Sequence, residues 1–278
     1  MRKIVFLMAL LSSLAFANSE LERKCNNGDA RSCNNLGNLY YDGDGVKQDY
    51  KKARELWSKA CEMGDAGSCY NLGLLYDNGY GVRQDYKKAR EFWSKACEMG
   101  DAGSCYNLGY SYHFGEGVKQ DYKKAREFYN KACEMGEALG CNNLGVLYKN
   151  GNGVRQNYNK AREFYSKACE MGEAFGCNNL GKLYKNGNTS KSKYVGKGIV
   201  GNILEYLYES RNGVRQDYNK AMEFFGKACE MGDAETCGIL AYLYYIGDGV
   251  RQDYNKAMEF FGKACDLGDQ DACMLIEQ

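Results

Sequence analysis

Four sets of residues in this chain have types and spacings that could do chemistry. The run Ser190-Lys191-Ser192-Lys193 contains one S-x-x-K match. On a helix that spacing sets a lysine amine one turn from a serine hydroxyl, where it can draw the proton from a nucleophile. No S-D-N or K-T-G element accompanies it, and the run sits in a Ser-, Lys- and Gly-rich stretch rather than at a rigid helix start. His113 is the sole imidazole. One histidine cannot build the multi-histidine centres of hydrolytic zinc enzymes, and its place late in a helical pattern reads as exposed or groove-lining.

The third set is the cysteines. All 14 fall into C-x7-C pairs: Cys25-Cys33, Cys61-Cys69, Cys97-Cys105, Cys133-Cys141, Cys169-Cys177, Cys229-Cys237 and Cys265-Cys273. Zinc knuckles use C-x2–4-C spacing, so no metal site is expected and the pairs read as disulfides of an oxidising compartment. Spacing alone does not fix connectivity. The fourth set is a ladder of amides, Asn35, Asn71, Asn107, Asn143 and Asn179, each two residues after a cysteine. An amide both donates and accepts. Such a row could hold the backbone of an extended peptide, or each Asn could tie its own helix to a neighbouring element. No cofactor is called for by any of the four sets.

The elements that must position these residues are written in the same cysteines. Cys25, Cys61, Cys97, Cys133 and Cys169 recur every 36 residues, as do Cys229 and Cys265. A fixed period in this range marks a helical repeat array. In the copy that starts at Cys69, Leu72, Leu75 and Tyr76 mark a first helix, helix A, over 68–77. Gly79 and Gly81 turn a loop that Val82 can plug, and Asp85 is a good N-cap. Tyr86, Ala89, Phe92, Trp93 and Ala96 then stripe a second helix, helix B, over 86–99, which Gly100 ends. Ala53, Ala89, Ala125, Ala161, Ala221 and Ala257 are expected at the A–B crossing. Gly37, Gly73, Gly109, Gly145 and Gly181 are expected where another helix comes too close for a side chain, since a mid-helix glycine otherwise costs about 1 kcal/mol. Tyr50, Tyr86, Tyr122, Tyr158, Tyr218 and Tyr254 read as scaffold. A disulfide from the last turn of helix B to the first turn of the next helix A pins each repeat to the next, by about 2–3 kcal/mol of loop entropy.

The positions that vary between copies bear on specificity. One reads Asn38, Leu74, Tyr110, Val146 and Lys182; another reads Tyr41, Asp77, His113, Lys149 and Lys185. They shift from aromatic and acidic to basic, which would orient an asymmetric partner. The candidate groove is therefore the Asn ladder with Tyr110 and His113.

The period breaks once. Cys177 and Cys237 are 60 residues apart. Gly201 to Val214 lines up with a helix A and its loop, but Gly201 replaces a cysteine, Lys193 replaces that cysteine's partner and Glu205 replaces the recurrent glycine. The chain reads as having lost one helix B and kept two helix A segments, with a helix pair beginning at Gly201. The segment between is a ligand loop or a damaged repeat, and its lack of pocket chemistry favours the second.

At the N-terminus, Arg2 and Lys3 precede an apolar run from Ile4 to Leu14 and the small-x-small site Ala15-Phe16-Ala17. That is a signal-peptide pattern, too short for a convincing membrane span. The expected division is a signal peptide at 1–17, a partial repeat at 18–32, repeats at 33–188, an irregular linker at 189–200, and repeats with a terminal capping helix at 201–278. The expected location is secreted or periplasmic, with no membrane span in the mature form. With 37 Lys and Arg against 36 Asp and Glu, the chain shows no electrostatic footprint for nucleic acid.

The phrase L-G-x-L-Y-x-x-G-x-G-V-x-Q-D-Y-x-K-A-x5-K-A from Leu72 to Ala96 resembles the Sel1-like repeat. With the C-x7-C pairs and the signal peptide, residues 25 to 278 resemble the secreted Helicobacter cysteine-rich protein family. That resemblance implies an all-α fold: a right-handed α/α solenoid of about 36-residue, TPR-like helical hairpins cross-linked by disulfides, with the first helices lining a concave face. It implies a monomer that binds a protein, a peptide or a cell-wall fragment there, possibly a β-lactam. Members of the family are labelled penicillin-binding proteins or β-lactamases, which implies a weak β-lactam hydrolase as the alternative. No set of catalytic residues carries over to this chain.

Overall fold

The structure, a computed structural model of the chain, describes residues 18–187 and 213–276. The expected signal peptide, the linker at 189–200 with Ser190 to Lys193, and the segment beginning at Gly201 lie outside the described residues. Every regular element among the described residues is helical.

The helices fall into two compact units, up to Asp121 and from Tyr122 onward. The first holds α1 (residues 18–26), α2 (Ala30–Asp42), α3 (Tyr50–Glu62), α4 (Ala66–Asn78), α5 (Tyr86–Glu98) and α6 (Ala102–Phe114). The second holds α7 (Tyr122–Glu134), α8 (Ala138–Asn150), α9 (Tyr158–Glu170), α10 (Ala174–Asn186), α11 (Tyr218–Glu230), α12 (Ala234–Ile246), α13 (Tyr254–Asp266) and α14 (Gln270–Ile276). Even-numbered helices from α2 to α10, with α12 and α14, are A helices. The rest from α3 onward are B helices.

Each boundary has a local cause. The Asp65 carboxylate accepts from the Ser68 N–H at 2.6 Å and starts α4 two residues earlier than the apolar pattern suggests. Gly79, at φ +73°, closes α4 with its N–H on the Leu75 carbonyl, the left-handed cap that glycine adopts without strain. Asp85 caps α5 through the N–H groups of Lys87 and Lys88. After α5 the Asp101 N–H returns to the Ala96 carbonyl at 3.0 Å, and Asp101 then caps α6. One aspartate thus ends the turn after a B helix and begins the next A helix.

Within a hairpin, small residues let the helices close on a large ring. Ala53, Ala89, Ala161, Ala221 and Ala257 are buried, and so are Trp57, Trp93, Tyr165, Phe225 and Phe261. The recurrent A-helix glycines face those rings: a Cβ on Gly37 would lie 2.5 Å from Trp57 Nε1, and one on Gly181 would lie 2.6 Å from Phe225 Cδ1. This is the close approach the glycines imply. Beside the core, Tyr76 stacks on Phe92 at 5.6 Å, and Tyr148 on Phe164 at 5.5 Å.

Between hairpins, all seven C-x7-C pairs are disulfides, with Cα–Cα distances from 4.6 to 4.9 Å. Cys25–Cys33 joins α1 to α2, and each of the others joins the end of a B helix to the start of the following A helix. The lysine of the recurrent K-A-C phrase adds a second tie. Lys95 Nζ donates to the Cys61 carbonyl at 3.0 Å, and Lys167 Nζ to the Cys133 carbonyl at 3.2 Å. The recurrent tyrosines form a third: a Cβ on Gly81 would strike Tyr50, and one on Gly117 would strike Tyr86, so each ring is seated against the next repeat's loop.

The break in period falls between α10 and α11. α11 packs on α10 as a B helix packs on its own A helix, while the segment beginning at Gly201 lies outside the described residues. The Asp217 N–H bonds the Tyr184 carbonyl at 2.9 Å, the same bond that Asp85 makes to Tyr76, and Gln216 Nε2 reaches the Lys185 carbonyl at 2.8 Å. The physical reason is Gly181, which admits the Phe225 ring. The competing segment has Glu205 at that position, where a side chain would occupy the space of the ring. α10 and α11 thus close on each other as the other hairpins do.

Candidate functional site

The scaffold uses most of what recurs, so a site must be sought among exposed positions that do not. The Asn ladder lies on the A helices, and two of its members bond to the preceding repeat. Asn71 Nδ2 donates to Asn38 Oδ1 at 3.1 Å and to Asn34 Oδ1 at 3.3 Å; Asn179 Nδ2 donates to Asn142 Oδ1 at 2.8 Å. For these two the amide ties neighbouring repeats. Asn107 and Asn143 are partly buried at equivalent places and Asn35 is exposed. The ladder positions are thus brought into register within each unit, and Asn71 and Asn179 spend donors on the scaffold.

Asn38 also accepts from Trp57 Nε1 at 3.0 Å. In the next repeat Leu74 stands at that position, and Trp93 Nε1 is buried without a partner.

The exposed departures cluster on two A helices. Three positions at four-residue steps read Asn34, Asn38 and Asp42 on α2, and Asn178, Lys182 and Asn186 on α10. On α6 they read Tyr106, Tyr110 and Phe114, and on α12 Gly238, Tyr242 and Ile246. Residues at i, i+4 and i+8 share a helix face. Phe114 is 55% exposed and Tyr242 56%, and Tyr110, Tyr245 and Ile246 are also exposed. The sequence pattern singles out Tyr110 and His113 but passes over Phe114, Tyr242 and Ile246. The signal is there to be found: each replaces a residue that is polar on α2.

His113 is partly buried and lies flat on Phe114, with ring centroids 4.4 Å apart. Burial lowers its pKa and favours the neutral ring. Its carbonyl accepts from Gln120 Nε2 at 2.7 Å. Asp77, one repeat earlier, has its carboxyl pushed up by burial. Glu116 is pushed up by burial and by the charge of Asp77. No group of three or more His, Cys, Asp or Glu side chains that could hold a metal occurs among the described residues.

In the second unit an open cleft of about 850 Å³ runs beside α10 and α12, floored by Ile239, Tyr242, Leu243 and Leu267 and walled by Lys182 and Lys185. Those lysines are already paired, Lys182 with Glu235 at 3.1 Å and Lys185 with Asp248 at 2.9 Å. Lys185 holds the Asp248 carboxyl below its ordinary range. The basic trend expected along the A helices is therefore partly neutralised within the fold.

With this geometry in view, comparison with known proteins is informative. The Sel1 repeat family matches residues 30–65, 66–101, 102–137, 138–173, 174–193, 199–233 and 235–269. The crystal structure of c5321, a protective antigen of uropathogenic Escherichia coli strains with an SLR fold, is 31% identical over 93% of this chain, with a TM-score of 0.78. This chain spans 50% of that antigen's length. A Sel1 repeat protein from Oxalobacter formigenes is 24% identical, with a TM-score of 0.69 over 85% of each chain, and shares the fold. Helicobacter pylori cysteine rich protein B is 35% identical over 49% of this chain and 97% of its own, with a TM-score of 0.39. No curated protein matches the chain.

Proposed function

Because this chain belongs to the Sel1 repeat family, we propose that it is an exported scaffold binding a protein, peptide or cell-wall fragment on the exposed face of its A helices. Sel1 repeats typically mediate protein interactions. The observation that carries the reading is the replacement of polar A-helix positions by exposed apolar ones on α6 and α12. Neither stripe is needed to close a hairpin, since the rings that do so come from the B helices. Exposed apolar patches mark interaction surfaces. Export is supported by seven disulfides, which persist in oxidising compartments. No helix among the described residues is long and apolar enough to cross a membrane.

The alternative of β-lactam hydrolysis rests on resemblance alone. The Ser190–Lys193 match lies outside the described residues, and His113 stacks on the Phe114 ring.

The test is selection of ligands from a random peptide library on the oxidised protein, followed by affinity measurement on Phe114→Ser and Tyr242→Ser variants. A loss of about tenfold or more in one of them, with the helical circular-dichroism signal unchanged, is expected. Ligands whose affinity is indifferent to both substitutions would place binding elsewhere.

A further inference from the structure

The two exposed stripes differ in their electrostatic setting, and that of α6 specifies a partner. Tyr110 and Phe114 are tilted rings 4.5 Å apart, Tyr106 lies 6.3 Å from Tyr110, and His113 extends the aromatic surface from Phe114. The charge of Asp77 raises the cost of ionising Glu116, and neither carboxylate is paired with a basic side chain among the described residues. The nearby guanidinium, Arg90, donates instead to the Glu116 backbone carbonyl at 3.0 Å. Glu116 follows Phe114 by two residues and feels the charge of Asp77, so two partly desolvated carboxyl groups without an ion-pair partner among the described residues lie at the end of the exposed α6 stripe. The α12 stripe is the opposite case: its neighbouring carboxylates, Glu235 and Asp248, already hold lysines.

An aromatic face attracts a cation through its quadrupole, and more strongly as water is excluded. A carboxylate placed next to it completes the complement of a Lys or Arg side chain, whose apolar stem can lie on the rings while its head reaches the charge. We propose that the α6 face of the first unit, with Asp77 and Glu116, docks a basic segment of a partner protein, a Lys or Arg stem lying over Tyr110 and Phe114. This rests on the reading of the A-helix face as the binding surface, and it adds the chemistry of what binds.

The experiment uses the full oxidised chain and two fluorescent probes of equal length, a Gly-Lys-Leu repeat peptide and its Gly-Glu-Leu counterpart, read by polarisation. The lysine peptide should bind at least about tenfold more tightly. That preference should fall to near unity in the isosteric double variant Asp77→Asn/Glu116→Gln. Phe114→Ser should weaken the lysine peptide by about tenfold. Equal binding of the two peptides, no binding of the lysine peptide, or a preference that survives the charge-neutral variant each overturn the basic-segment assignment. If the peptides bind without charge preference but lose affinity in Phe114→Ser or Tyr242→Ser, the A-face reading stands while this inference fails. If neither of those substitutions alters measured binding, both fail.

Discussion

Gly145→Ala is the sharpest test of why the A helices carry glycine. On an open helix the change stabilises by about 1 kcal/mol. At Gly145 the new methyl would lie 2.5 Å from Tyr165 Cδ1 and Cε1 and 3.2 Å from the Ala161 carbonyl oxygen. The ring cannot swing out, because Tyr165 is fully buried and its hydroxyl, already without a hydrogen-bond partner, is enclosed with it. Overpacking of this kind costs about 1–3 kcal/mol. With the propensity gain subtracted, the expected net loss is up to about 2 kcal/mol, a fall of up to about 8 °C in Tm for a chain of this size. Gly226 supplies the control. It lies inside α11, and a Cβ there would meet nothing within 4 Å, so Gly226→Ala should gain about 0.5–1 kcal/mol. Thermal and urea melts followed by circular dichroism, with disulfides intact, read both. Amide exchange in α8 and α9 locates the first effect. A Gly145→Ala protein stabilised as much as Gly226→Ala would refute the close-approach argument, and opposite signs for the two glycines would support it.

Three further outcomes follow from the same contacts. Replacing Cys133 and Cys141 together by Ala opens a loop of about nine residues and should cost about 2.5 kcal/mol, seen as faster exchange at the α7–α8 junction; an unchanged exchange pattern would dismiss the staple. Asn38→Leu should cost about 1–2 kcal/mol, because it leaves Trp57 Nε1 as unpaired as Trp93 Nε1 and removes an acceptor from Asn71; equal urea midpoints for variant and parent would count against it. Asp77→Asn should stabilise at neutral pH, since burial raises the folded-state pKa of Asp77 above its unfolded value and the ionised form is disfavoured. The gain should vanish as pH falls through that raised pKa, where the parent carboxyl is already neutral, and a gain that instead grew on acidification would reverse the sign of the argument.

Much of the architecture is legible in the sequence because the scaffold repeats its reasons. Cysteine spacing points to the disulfides, Asp85 to the cap of α5, and Ala89 with Trp93 to the buried stripe, since each is decided by contacts inside one hairpin or one junction. The A-helix starts are harder to place, because the capping role of Asp65 and Asp101 depends on backbone geometry that the apolar pattern does not carry. The candidate site is less legible. The Asn ladder is periodic, and periodicity cannot separate a ligand contact from a tie between repeats; for Asn71 and Asn179 only the bonds to the preceding repeat decide. Phe114 and Ile246 escape sequence reading for the converse reason. Each occurs once, at a helix end where other copies carry Asn or Asp, and only their exposure separates them from core residues.

At the break in period a sequence match and a packing contact point to different neighbours for α11. Gly201 to Val214 fits the A-helix pattern well enough that the family matches 199–233, yet α11 closes on α10. The two candidates compete for one partner, and the deciding residue is the glycine under Phe225: Gly181 has no side chain there, whereas Glu205 does. If α10 is the true partner, residues 188–211 are dispensable for the hairpin. Their deletion would leave Asn186-Gly187-Asn212-Gly213-Val214, the same sequence as Asn150 to Val154, and would shorten the connection from residues 187–217 to the length of residues 151–157. Loop-closure entropy then favours the deletion variant by about 1 kcal/mol. Urea unfolding of the purified deletion variant should show a midpoint equal to or above that of the parent, with the Cys229-Cys237 disulfide still formed by peptide mapping. A loss of more than about 2 kcal/mol would mean that the inserted residues contribute packing to the array, and that the second copy of the A-helix pattern is a structural repeat rather than an insertion at a hairpin tip.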